Sequence, residues 1–191
     1  MKIVMKKKLL TLTLTIFTSL LWSQSSLVKI DAEKSNIHWF AKKVTGEHDG
    51  YINLVDGSLE MDGTQLTGGA FEVDMTTINV ADLTGEYKNK LEKHLKSDDF
   101  FGVDKFPKSH LTFTEVVQKT ENHYEIVADL TIKGITAPVS LEMHFEGNEA
   151  TTKFMVNRAK YNVRYGSNSF FDNLGDKAIY DEFELGITLN Y

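Results

Sequence analysis

The only two arginines of the chain, Arg158 and Arg164, stand at the same parity as Lys160 and Asn162, while Ala159, Tyr161, Val163 and Tyr165 take the alternate positions. On a strand, a side-chain period of two puts the four polar residues on one face. Guanidinium groups spaced along such a stripe suit bidentate capture of a phosphate or carboxylate head group. The same stripe turned outward would pair across a ladder with Glu182 and Glu184 of the last strand, and parity alone does not choose the face.

Other chemistry is thin. There is no Gly-x-Ser-x-Gly elbow, no glycine-rich phosphate loop and no His-Glu-x-x-His helix. The six histidines, at 38, 48, 94, 110, 123 and 144, never recur at metal-ligand spacing along the chain, and only Glu47-His48-Asp49 sets a histidine between carboxylates, as a solvated turn would. Asp98-Asp99 sits where a helix ends and reads as a solvated pair rather than a general acid and base. With no cysteine in the chain, thiol catalysis, zinc ribbons, iron–sulfur ligation and disulfides are all excluded. Neither a catalytic residue nor a metal or other cofactor is expected.

The elements that would carry these residues are strands. From Val28 onward short alternating runs are separated by glycine-bearing turns, the pattern of an antiparallel all-β domain. Ile37, Trp39 and Ala41 share one face of an early strand, although Phe40 interrupts the alternation. Tyr51 to Met61 reads as one or two strands ending at the Asp62-Gly63 turn, and Phe71, Val73 and Met75 alternate with Glu72, Asp74 and Thr76. Five further runs follow: Leu111 to Val117, Tyr124 to Lys133, Pro138 to Phe145, Thr152 to Val163, and Tyr180 to Leu189. The one helix expected covers Glu86 to Ser97, with Tyr87, Leu91 and Leu95 on one stripe and lysines over the rest. Eight or nine strands with one apolar face each make a sandwich or a closed barrel whose interior is either filled or hollow. Phe100, Phe101 and Phe106 after the helix, with Phe170 and Phe171 in the last long connection, either plug one end of such a barrel or line the mouth of a cavity.

Residues 1–23 read as a signal peptide, with Lys6-Lys7-Lys8 before an apolar run from Leu9 to Trp22 and then Ser23-Gln24, although Leu21 is larger than cleavage sites prefer. The run is shorter than a membrane span, so no stable membrane insertion is expected after cleavage. The remaining domain, 24–191, is one core's worth of chain. The leader carries four lysines and no acid, so its removal takes the net charge from −6 to −10. A field of that sign repels nucleic acid and anionic surfaces, and no basic cluster interleaved with aromatics opposes it. A periplasmic or secreted location is expected.

Three ordered motifs resemble the YceI-like family of exported polyisoprenoid-binding proteins. His94-Leu95-Lys96-Ser97-Asp98-Asp99-Phe100-Phe101, followed by Phe106-Pro107 and the strand Leu111 to Thr114, is similar to the family's HLKS-x-DFFD core, with Gly102 where an aspartate is common. Asp129 to Val139 resembles G-x-LTIKGVTKPV, with Ala128 for glycine and Ala137 for lysine. Asn157 to Val163 corresponds to the family's arginine-bearing strand, and Ser35 to Trp39 to its opening strand. The resemblance implies a lipocalin-like antiparallel β-barrel of about eight strands with one short helix. It also implies a hydrophobic tunnel for a long-chain isoprenoid or fatty lipid, and binding without turnover.

On that reading, shared parity selects Ile37, Trp39, Phe71, Val73, Leu111, Phe113, Leu130, Ile132, Leu141, Phe145 and Phe183 as lining. Phe100 and Phe101 join them from the connection, and Arg158 and Arg164 as head-group contacts. The expected partner is the lipid; assembly as a homodimer stays open. The rival expectations are a filled barrel serving as an interaction or stress-response module and, behind it, an enzyme acting on a lipid at the barrel mouth.

Overall fold

A computed structural model describes residues 25–191; the expected signal peptide, 1–23, lies outside the described residues. Nine strands and one α-helix follow in the order β1 (Ser25–Lys29), β2 (Asn36–Lys43), β3 (Gly46–Asp62), β4 (Gln65–Asp74), α1 (Gly85–Lys96), β5 (Lys108–Thr120), β6 (His123–Ile132), β7 (Ile135–Glu146), β8 (Glu149–Asn157) and β9 (Ile179–Asn190). All neighbours are antiparallel. Strands β2 and β9 pair, the order then runs back through β8, β7, β6, β5 and β4, and pairing of β4 with β3 closes an eight-stranded barrel. Closure leaves those eight strands no unpaired edge. The 17-residue β3 is long enough to hold two partners along one edge, β2 over its first half and β1 over residues 58–62.

The alternation read from sequence holds strand by strand. On β7, Val139, Leu141 and Met143 are buried while Ser140, Glu142 and His144 are exposed; on β6, Tyr124, Ile126, Ala128, Leu130 and Ile132 all point inward. Phe40, the residue that broke the pattern on β2, faces out, where the ammonium of Lys42 lies 5.2 Å from its ring centre. Register shifts within the β3–β4 pair near Val55 and the β5–β6 pair near Thr114 mark bulges, which bend long strands round a barrel. The β6–β7 turn uses Lys133 and Gly134, with φ of 53° and 72°. Consecutive positive φ values are what a two-residue hairpin matched to strand twist requires.

One sequence-based strand does not run its full length. The chain leaves the barrel at Asn157, so Arg158 to Tyr161 form a single 3-10 turn and the Arg158, Lys160, Asn162, Arg164 stripe is not a strand face. The reason is local. The Asn157 side chain caps the turn by accepting from the Ala159 N–H at 3.0 Å, and Asn162, at φ 57°, closes it in the left-handed region. The expected pairing with Glu182 and Glu184 is lost with the strand; Glu184 instead meets Lys153 at 2.8 Å.

One end of the barrel is covered by the connection between β4 and β5. After a 3-10 turn at Met75–Thr77, residues 78–81 run beside β3, with Asn79 N–H donating to Tyr51 and Ala81 N–H to Asp49. Gly50 permits this approach, because a Cβ there would lie 1.9 Å from the Asn79 carbonyl oxygen. Helix α1 follows, with Glu86 in its first turn and Lys93, His94 and Lys96 in its last, matched to the helix dipole. Of its expected apolar stripe Leu95 is buried, Leu91 half-buried and Tyr87 fully exposed. Backbone bonds from Phe101 to Leu95 and from Val103 to Lys96 then fold the chain back sharply, turning Phe100 and Phe101 into the interior. Among the described residues no helix is long and apolar enough to cross a membrane.

Candidate functional site

The inward faces do not fill the barrel. They enclose a cavity with about 150 Å3 open to the centre of a water molecule, roughly ten times what one water needs. Its walls come from strands on every side. β2 contributes Ile37 and Trp39, β4 Phe71 and Val73, β5 Leu111 and Phe113, β6 Leu130 and Ile132, β7 Leu141 and β9 Phe183. Phe100 and Phe101 close the end beneath α1, their rings edge to face at 5.0 Å. These two phenylalanines therefore serve both readings of the loop aromatics, being a plug and a wall at once.

Two expected lining residues lie elsewhere. Phe145 shares the inward parity of Leu141 and Met143 but sits beyond the end of the cavity, packed edge-on to Tyr124 at 5.4 Å and to Tyr191 at 6.2 Å, where it helps stopper the opposite end. Arg164 stands off the wall, its guanidinium 4.6 Å from the ring centre of Phe170; Phe170 and Phe171 do not reach the cavity either.

Arg158 does border the cavity and is 3% exposed, but four of its five N–H donors are already taken by main-chain carbonyls. Nε donates to the Tyr180 carbonyl (3.1 Å), one terminal nitrogen to those of Val163 (3.0 Å) and Tyr165 (2.8 Å), and the other to that of Ile179 (3.0 Å). Asp181 stands 3.4 Å away as counter-charge. Burial disfavours the cation and lowers the Arg158 pKa, and Asp181 opposes that shift. The geometry is a staple tying the 158–165 turn to the start of β9, with the guanidinium over the ring of Phe100, 5.6 Å from its centre.

The rest of the wall is nearly free of polar groups. Ser109 and Thr152 are buried, line the cavity and offer hydroxyl oxygens with no hydrogen-bond partner in the protein. What remains is a shaped, hydrocarbon-lined slot with two unclaimed hydroxyls, suited to holding an apolar chain.

Parity reasoning missed several walls. Thr152 and Phe154 on β8, and Leu185 and Ile187 on β9, follow the same alternation and were findable by it. Ile78 and Leu95 were not, because they come from a connection and a helix end that only the closed barrel brings over the opening. The Glu47-His48-Asp49 trio resolves into two separate pairs, His48 with Asp82 at 2.8 Å and Asp49 with His38 at 2.7 Å.

Comparison with known proteins agrees with this architecture. A YceI-like domain matches residues 28–191. The chain is similar to the YceI protein of Shigella flexneri, 35% identical over 149 residues covering 75% of this chain and 74% of that one. It is also similar to a UPF0312 protein of Shewanella denitrificans, 34% identical over 98 residues, about half of either chain (51% and 49%). Among solved structures, BcnA of Burkholderia cenocepacia superposes with a TM-score of 0.67 at 17% identity, covering 84% of this chain and 98% of that one. A domain from Saccharophagus degradans described as polyisoprenoid-binding and implicated in plant cell wall breakdown superposes with a TM-score of 0.58 at 11% identity, over 87% and 97% of the two chains.

Proposed function

The chain belongs to the YceI-like domain family, and from that premise we propose that it is an exported, non-catalytic carrier that holds the hydrocarbon chain of an isoprenoid or fatty lipid inside its barrel. The observation that carries the reading is the cavity, walled by aliphatic and aromatic side chains from all round the barrel and closed under Phe100 and Phe101. Each methylene moved from water into such a space gains about 0.8 kcal/mol, so a long tail binds without any catalytic group. The polyisoprenoid-binding description of the Saccharophagus degradans domain supports an isoprenoid over other apolar chains. Residues 1–23 would direct export to the periplasm or the medium. The cavity weighs against a barrel packed solid with its own side chains.

The test is native mass spectrometry of the protein purified from an exporting bacterial host, with solvent extraction of whatever co-purifies. A near-stoichiometric isoprenoid or fatty chain is the expected result. An unshifted mass, unchanged after incubation with prenyl lipids, would overturn the carrier reading.

A further inference from the structure

On the outer face of the barrel, away from the cavity, β6 and β7 bring together three residues that stand far apart along the chain. His123 and His144 are directly opposite in the ladder, with rings stacked at 4.2 Å between centres and 17° between planes. Glu142 lies on the same face of β7, two residues before His144, with Oε2 3.3 Å from Nε2 of His123. That ring nitrogen is buried and makes no hydrogen bond. One nitrogen from each histidine and one Glu142 oxygen all lie within 4.8 Å of one another. We propose that His123, Glu142 and His144 form a surface site for a single divalent late transition-metal ion, of which Zn2+ is the type.

Ligands of a tetrahedral zinc ion stand roughly 3.4 Å apart, given metal–ligand bonds of about 2.0 to 2.2 Å. The ligand atoms stand within 4.8 Å of one another, so they must draw together by up to about 1.4 Å, and the stacked rings must tilt for their in-plane lone pairs to converge on one ion. The ladder holds the two histidines side by side with room for their rings to turn about χ1 and χ2, and Glu142, with 63% of its side chain exposed, is free to swing the carboxylate in. Two imidazoles and one carboxylate leave a fourth position to water, the open three-ligand layout. Imidazole donors select Zn2+, Cu2+ or Ni2+ over Ca2+ and Mg2+, which prefer all-oxygen shells. The surroundings favour a cation. Glu146 and Glu149 flank His144 in the same surface hollow, and Glu125, opposite Glu142, is paired with Lys119 at 2.7 Å.

The test is calorimetric titration of the purified protein, free of any histidine tag, with zinc sulfate, repeated for His144→Ala, Glu142→Gln and a His38→Ala/His48→Ala control. Cobalt(II) absorption serves as a second readout. The expected result is one zinc per chain, weakened about tenfold or more by each of the first two changes and unaffected by the control, with cobalt bands of tetrahedral intensity. These positions lie outside the cavity, so lipid content should stay the same in every variant. Absence of zinc binding, equal binding of Ca2+, or binding that survives His144→Ala would overturn the site.

Discussion

The indole Nε1–H of Trp39 donates to the main-chain carbonyl of Asn79 at 3.0 Å, so a wall residue of the cavity holds down the segment that leads into its cover. Trp39 is also the only tryptophan after Ser23. Filling the cavity with a lipid is expected to shift its emission, measured by titrating delipidated protein. Trp39→Phe should remove the signal and leave the Asn79 carbonyl unpaired, at a cost of about 1 to 3 kcal/mol in urea unfolding.

Leu141 and Phe145 share a strand face but not a destination. Leu141→Trp should fill the cavity and abolish lipid uptake in a protein that still unfolds cooperatively. Phe145→Ala should instead lower stability by about 3 kcal/mol or more through the Tyr124–Tyr191 stopper, with uptake retained by the folded fraction. Uptake assays beside thermal melts separate the two.

The Thr152 hydroxyl is buried without a partner. Thr152→Val exchanges an unsatisfied oxygen for a methyl group of the same shape, so the unliganded protein should be unchanged or more stable by up to about 1 kcal/mol. Loss of affinity for an oxygen-bearing chain, with none for a plain hydrocarbon, would place the ligand's polar group at this wall.

Arg158→Gln removes the donors to four carbonyls and leaves Asp181 without its counter-charge. We expect a loss of about 3 kcal/mol or more in denaturant titration. Anionic and neutral lipids should be affected alike, since four Arg158 donors hold carbonyls and the fifth faces Asp181 rather than a head group.

Burial alone would raise the pKa of Asp82, but hydrogen bonds from the His48 ring and the Asp49 N–H outweigh it, and the net shift is downward from 3.8. A folded-state value below the unfolded one means that the tie contributes fully above pH 3.8 and is lost as the pH falls through the lowered value. Asp82→Asn should therefore lower the neutral plateau of stability and flatten its acid limb below that pH. Asp74, lowered in the same way by Thr76, retains its own share.

The architecture and part of the cavity wall follow from chain-local pattern alone. Period-two alternation depends only on which residues are apolar, so Ile37 and Trp39, Leu130 and Ile132, or Phe183 reveal their face without any knowledge of their neighbours. The helix ending near Ser97 and the inward Phe100-Phe101 pair were equally legible, one from its 3.6-residue stripe and the other from aromatics in a connection. Tertiary structure decided what depends on depth and on partners. Parity puts Phe145 inside, but only the closed barrel shows that it lies past the cavity's end. Arg158 extends an apparent strand pattern, yet four carbonyls brought together by the 158–165 turn and the start of β9 give its charge a reason to leave the sheet. His123 and His144 are 21 residues apart with no ligand spacing, and they face each other only because the β6–β7 register makes them so. Chain-local patterns encode the face of a residue; its rung, and the residue across from it, are set when the barrel closes.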